Sequence, residues 1–367
     1  MYIVTENKKE KFVNVLQKID FDALPISDYN KKYIRRILPK MAYYADVYAR
    51  TLGCDYGAEK LFSADFVVVD YGGGHGFLSI FLKMLGMHHV IYVDKNPQSV
   101  EAAKAIKDAA GYGADVFICG EEEELIEWCR NNEVNPRQLI GLDVIEHIYD
   151  LEKYLGNLFT EFKDMHHVYT TASVEKNQFK SRRLKKQMRL DEYGTATKQG
   201  YFDMRKQFIM NEYPSLSDEE ADRWAEDTRG MNYHDIAMAL SLGMDVHPKD
   251  SYNTCDPETG NWTERILSED NYFYLARKFG SVAIIFPGNY NVHNKGIKKI
   301  AAKFLNLLIK HHNLSKRICP FVYIEMLSPN RWGKFDDEMV RFINRLFSKD
   351  KEVTNEKENS DDNMTND

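Results

Sequence analysis

Between residues 64 and 173 the apolar positions follow two alternating rhythms. Short runs of strand type at 66–70, 89–94, 115–119, 139–143 and 167–171 are separated by stretches at helical spacing. Phe77, Ile80, Phe81 and Met84 form one helical stripe, and Gly86 is placed to stop it. Asn96 is placed to cap the next helix, with Pro97 at its first position and Gly111 at its end. Asp150 caps a third, striped by Leu151, Leu155, Leu158, Phe159 and Phe162. Strands alternating with helices predict right-handed βαβ units and a parallel sheet covered on both faces.

The rhythm then breaks. Residues 175–265 show no convincing strand, only helical pieces near 179–190, 200–212, 217–229 and 232–242, with a turn at 256–260. The strand pattern resumes at 282–286 and 321–326. Ser268 caps a helix before the first of these, and Ile297, Ile300, Ala301, Phe304 and Leu308 stripe a helix between them, with lysines on its other face. Seven runs of strand type predict an α/β fold, a doubly wound, mostly parallel seven-stranded sheet. The expected layout is a helical, tyrosine-rich N-terminal segment (1–62) that could form a lid, a first half of the sheet (63–174) and a helical insertion acting as acceptor or cap region (175–265). The rest of the sheet core (266–328), a C-terminal helix (329–348) and a disordered acidic tail (349–367) complete it.

Composition narrows the class. The chain has 367 residues, 43% hydrophobic and 29% charged, enough apolar material for a large core. No apolar run approaches the roughly 20 residues of a membrane-spanning helix, and the opening MYIVTENKKEKF lacks the long apolar stretch of a secretion signal. Five cysteines without a CxxC pair or metal-type spacing read as reduced thiols, which points to the cytoplasm. Of the net charge of −7, residues 349–367 carry −4, from seven acids and three bases, so the remainder is only −3. Global charge therefore makes no case for nucleic-acid binding.

The chemistry concentrates in Asp70-Tyr71-Gly72-Gly73-Gly74-His75-Gly76, between a strand and a helix. In an open parallel sheet this first βα turn borders the ligand crevice. Glycine permits unusual backbone angles there and lets a ligand approach the chain closely. The spacing is D-x-G-x-G-x-G. The dinucleotide fingerprint is absent, since Phe77 stands at its third glycine position, and no Gly-Lys-Ser/Thr phosphate loop follows. Asp94, at the end of the second strand, is placed to accept hydrogen bonds from ribose hydroxyls. Strand, glycine loop, helix, strand and acid together mark an adenosine-containing ligand.

This segment, residues 67–76, resembles motif I of the class I S-adenosylmethionine-dependent methyltransferases. Asp143-Val144-Ile145-Glu146-His147 resembles a segment after the fourth strand in the ubiquinone-biosynthesis O-methyltransferase-like branch. The resemblance covers 64–173 by motif and 265–327 by strand order. It implies a Rossmann-like methyltransferase fold with S-adenosylmethionine as cofactor. Gly72, Gly74 and Gly76 would line its methionine and ribose portion, Asp70 would support the loop and the amino group, and Asp94 would bind the ribose. Glu121, the best of four successive acids, would meet the adenine amine. Tyr71, Gly73, Lys95, Asp143 and Val144 complete the implied cofactor set. The long connection before the last strand departs from the tight hairpin usual in the family.

His147 is a candidate base, with Glu146 beside it; the pair could equally organise the loop and the following helix. A cation held by Glu146, His147, Asp143 and a distant histidine such as His234 is a further reading, but no metal is assigned. Trp262, Glu264 and Arg265 could line an acceptor pocket. The run 180–189 carries six bases, read as a solvated helix face balanced by Asp218, Glu219, Glu220 and Asp222. The expected activity is methyl transfer to a small or medium acceptor, at oxygen. An RNA- or protein-directed enzyme and a non-catalytic cofactor-binding module are the alternatives.

Overall fold

The computed structural model describes residues 4–52, 61–310 and 315–327. The C-terminal helix and acidic tail expected at 329–367 lie outside the described residues. β1 (Val67–Tyr71), β2 (His89–Asp94), β3 (Val116–Cys119), β4 (Gln138–Leu142) and β5 (His166–Thr171) pair in parallel. β6 (Val282–Pro287) and β7 (Val322–Leu327) complete one sheet of order β3-β2-β1-β4-β5-β7-β6. β7 runs antiparallel to both β5 and β6, so six strands share one direction. This is the expected doubly wound, mostly parallel seven-stranded sheet. The order reverses between β1 and β4, which opens a crevice at their C-terminal ends.

Side-chain alternation along the strands assigns the two faces. Val68, Val90 and Tyr92 point toward α4 (Phe77–Leu85) and α5 (Pro97–Ala110), and α1 (Glu6–Gln17), α2 (Asp28–Ile37) and α3 (Met41–Thr51) join this same core. Phe12, Leu16, Ile34, Met41 and Tyr48 are buried there, so the N-terminal helices are built into the core. Val67, Val69, Ile91 and Val93 point the other way, into a core shared with α6 (Glu122–Asn131), α7 (Leu151–Glu161) and α12 (Glu269–Lys278). α6 is not among the elements that apolar periodicity predicts. Its first turn is acidic, which suits a helix N-terminus, and Leu125, Ile126 and Cys129, with Trp128 partly buried beside them, mark its apolar face.

The insertion holds four helices, α8 (Gln178–Tyr193), α9 (Tyr201–Glu212), α10 (Asp218–Asp227) and α11 (Tyr233–Ser241), and then runs through turns and a Cys255–Trp262 bridge to residue 265. Ile209, Ala221, Ala225 and Ile236 form a small core of its own. Arg205, fully buried, ties the helices together: its guanidinium donates to Glu192 at 2.6 Å and to the Ala225 carbonyl at 2.9 Å. Thr254 donates to the same Glu192 carboxylate at 2.6 Å. The acids expected to balance the α8 bases do otherwise, since Asp218 and Asp222 both pair with Lys206.

α13 (Ile297–Ile309) departs from its expected orientation. Its apolar stripe points outward, and only Ala302 and Ile309 are fully buried. α14 (Ser315–Ile318) then leads into β7.

Candidate functional site

β1 ends at Tyr71, and the chain turns sharply through the glycines before α4. Gly72 and Gly74 have φ of +65° and +53°, the left-handed region that side chains resist. A Cβ on Gly72 would stand 2.6 Å from Val144 Cγ2, so this glycine admits the loop after β4. A Cβ on Gly73 would strike the Tyr92 ring at 2.6 Å. Around Gly74 there is nothing within 4 Å, which leaves backbone bare toward open space.

Asp94, at the end of β2, is aimed at this loop. Its Oδ2 accepts from the Gly74 N–H at 2.9 Å and its Oδ1 from the Asn96 N–H at 2.8 Å. An ionised carboxylate has about four acceptor sites, so lone pairs remain for a ligand. Burial raises its pKa above the ordinary range, while the Asn96 and Gly74 amides and Lys95 oppose that rise. Asp70 does not reach the cavity. Its Oδ2 accepts from the Ser79 N–H and hydroxyl at 3.0 and 2.6 Å, which fixes the first turn of α4 to β1. Burial pushes its carboxyl up to about 7, against the Ser79 hydrogen bonds.

A cavity of about 150 Å³ lies at the C-terminal ends of β1, β2 and β4. It brings together Tyr71, Gly72, Asp94, Lys95, Glu121, Asp143, Val144 and His147. Of the residues anticipated from sequence, Asp70, Gly73, Gly74, Gly76 and Glu146 are not in its lining. Val93, Gly120, Ile148 and Asn261 line it without having been anticipated. Lys95 spans the opening, reaching Glu121 at 3.2 Å and also Asn261 of the insertion. The volume is below the roughly 300–1,000 Å³ of most small-molecule sites. The only signal for Asn261 in the sequence is the turn that precedes it.

His147 follows the loop after β4. Its Nδ1 lies 2.8 Å from the Trp262 carbonyl. A carbonyl only accepts, so Nδ1 carries the proton, and in the ring's uncharged form Nε2 is the acceptor. Trp262 is itself held, its indole N–H donating to the Tyr149 carbonyl at 3.0 Å. Glu146 is 1% exposed and its Oε2 has no hydrogen-bond partner among the described residues. Burial, with Asp143 nearby, holds its carboxyl well above the usual range.

Asp143 and Glu264 both adopt left-handed backbone, at φ of +51°. Such strain in residues with side chains gathers at functional sites. Thr170 donates to Asp143 at 3.3 Å, and Ser173 donates to the Glu264 carboxylate at 3.3 Å. The protein packed beside it and the Glu264 charge raise the Asp143 carboxyl, against the Thr170 hydrogen bond, although the residue keeps an exposed edge. Burial lowers the Lys180 pKa, while Asp143 and Glu264 oppose that change. Tyr33 of α2 stacks on His75 of the glycine loop, with ring centroids 5.1 Å apart. Among the described residues, no group of three or more His, Cys, Asp or Glu side chains is arranged to hold a metal ion.

No family model matches this chain. A ribosomal protein L11 methyltransferase of Dechloromonas aromatica is 40% identical over 116 residues, covering 30% of this chain and 38% of that protein. Its counterpart in Symbiobacterium thermophilum is 35% identical over 83 residues, 23% of this chain and 27% of that protein. The chain thus spans well under half the length of these relatives. Among solved structures, the plantazolicin methyltransferase BamL, in complex with a triazolic desmethylPZN analog and SAH, overlaps 88% of this chain and 97% of its own, at 9% identity and a TM-score of 0.39. PKMT2 from Rickettsia typhi overlaps 77% of this chain and 52% of its own, at 13% identity and a TM-score of 0.38. Overlaps that loose carry no argument about this chain.

Proposed function

We propose that this chain is an S-adenosylmethionine-dependent methyltransferase. The observation that carries the reading is Asp94, turned onto a bare glycine bend at the point where the strand order reverses. The partial likeness to the L11 methyltransferases supports it. Asp94 would hold the ribose hydroxyls, Gly74 would leave room for the cofactor, Gly72 would border it, and Glu121 and Lys95 would border the adenine. Bound there, S-adenosylmethionine supplies a methyl group made electrophilic by its sulfonium.

The protein contributes position, exclusion of water and a place for the acceptor's proton. His147 lines the cavity with its Nδ1 held by the Trp262 carbonyl, and its other ring nitrogen would take a proton from an acceptor hydroxyl. This supports a small or medium acceptor methylated at oxygen. A protein acceptor is the second reading, favoured by what the relatives' name says of those proteins. Incubation with methyl-tritiated cofactor, against hydroxylated small molecules and against a protein extract, separates the two. His147→Ala is expected to lower kcat by about 10²-fold or more while leaving cofactor affinity within about twofold. Unchanged turnover in that variant would remove His147 from the chemistry.

A further inference from the structure

The outward face of α13 has no counterpart in the proposed chemistry. Ile297, Ile300, Phe304 and Leu307 are 84%, 69%, 60% and 56% exposed. At 100° per residue these four fall on one stripe, opposite the buried Ala302 and Ile309. Lys299, Lys303 and Lys310 fall along one edge of it. Contiguous exposed apolar surface of this kind marks an interaction site.

The sequence around it is basic, although two of its cations are paired, Lys278 with Glu152 and Lys316 with Glu269. Between Asn271 and Ile324 the sequence holds nine Lys and Arg and no Asp or Glu, in a chain whose net charge is −7. Lys298, Lys299, Lys303 and Lys310 make no ion pair among the described residues. Beside the helix opens a cleft of about 410 Å³, in which Lys298 and Lys40 face Tyr43, Tyr44 and Tyr290. No helix among the described residues is long and apolar enough to cross a membrane.

We propose that α13 docks this protein on an anionic lipid surface, with Ile300 and Phe304 entering the acyl boundary and the flanking lysines meeting lipid phosphates. Apolar centre and cationic flank together are what a helix lying in a membrane interface requires. A nucleic acid would use the lysines but would gain nothing from an aliphatic stripe. A second copy would bring two cationic edges together.

Sedimentation of the full chain with phosphatidylglycerol vesicles, and with phosphatidylcholine vesicles, tests this. The expected result is partition onto the anionic vesicles at least about tenfold above the zwitterionic ones, weakened by salt. Ile300→Ser with Phe304→Ser should reduce that partition at least about tenfold. Both side chains are exposed, so thermal melting and S-adenosylhomocysteine affinity should stay as in the unaltered protein. Absence of partition onto anionic vesicles overturns the proposal. So does partition that the double substitution leaves unchanged and that polyuridylate abolishes by competition, which would assign the face to nucleic acid. A concentration-dependent dimer dissociated by Phe304→Ser, without vesicle binding, would assign it to a second copy.

Discussion

Gly72 and Gly74 are glycines for different reasons. At Gly72 the space of a side chain is already taken by Val144; at Gly74 it is empty, and only the backbone angle and an approaching ligand forbid one. Asp70 and Asp94 divide the work of the loop in a similar way. Asp70 is spent on Ser79 inside the protein, while Asp94 lines the cavity. The difference has a pH signature. Burial raises the Asp70 carboxyl to about 7, whereas in the unfolded chain it titrates near about 4. Between those values the native state holds a proton that the unfolded state has released. This contribution to stability is present at low pH and is lost as pH rises through the window. In Asp70→Asn the decline of Tm between about pH 4 and pH 7 should be shallower than in the unaltered protein, as followed by circular dichroism. An identical slope would show that this carboxyl does not carry the effect.

At the scale of elements, the insertion holds a buried Glu192 paired with Arg205 at 2.6 Å and with Arg229 at 3.3 Å. Removing Arg205 leaves Glu192 buried with its main cation gone, so Arg205→Ala should destabilise the fold by about 3–5 kcal/mol in urea titration. Loss of under about 1 kcal/mol would contradict that role. Neither partner was visible in the sequence, because an internal ion pair leaves no periodic trace. Helix starts were readable where a side chain caps them: Asn96, Asp150 and Ser268 each accept from a backbone N–H as their positions suggest. Strands were readable because buried parallel strands are continuous apolar runs. The stripe of α13 was equally plain, but periodicity reveals an apolar face without saying what it faces. In the site, the glycine loop, Asp94 and the segment 143–147 stood out as clustered motifs. Asn261, Glu264 and Trp262 meet them only through tertiary folding, across more than a hundred residues of chain.

Across the whole molecule, the N-terminal helices, the sheet and the insertion converge on one end of the strands. Tyr33 rests on the glycine loop, Asn261 reaches Lys95 over the cavity, and the Trp262 carbonyl sets the His147 tautomer. The insertion therefore takes part in closing the cavity as well as extending the surface. The central claim, that this cavity takes an adenosyl ligand held by Asp94, is tested most directly by calorimetry with S-adenosylhomocysteine on the intact chain and on Asp94→Ala. The account predicts saturable one-to-one binding that weakens at least about tenfold in the variant, because a charged acceptor to two hydroxyls contributes about 1.5–3 kcal/mol. Absence of binding to the intact chain, or equal affinity in both proteins, would contradict it.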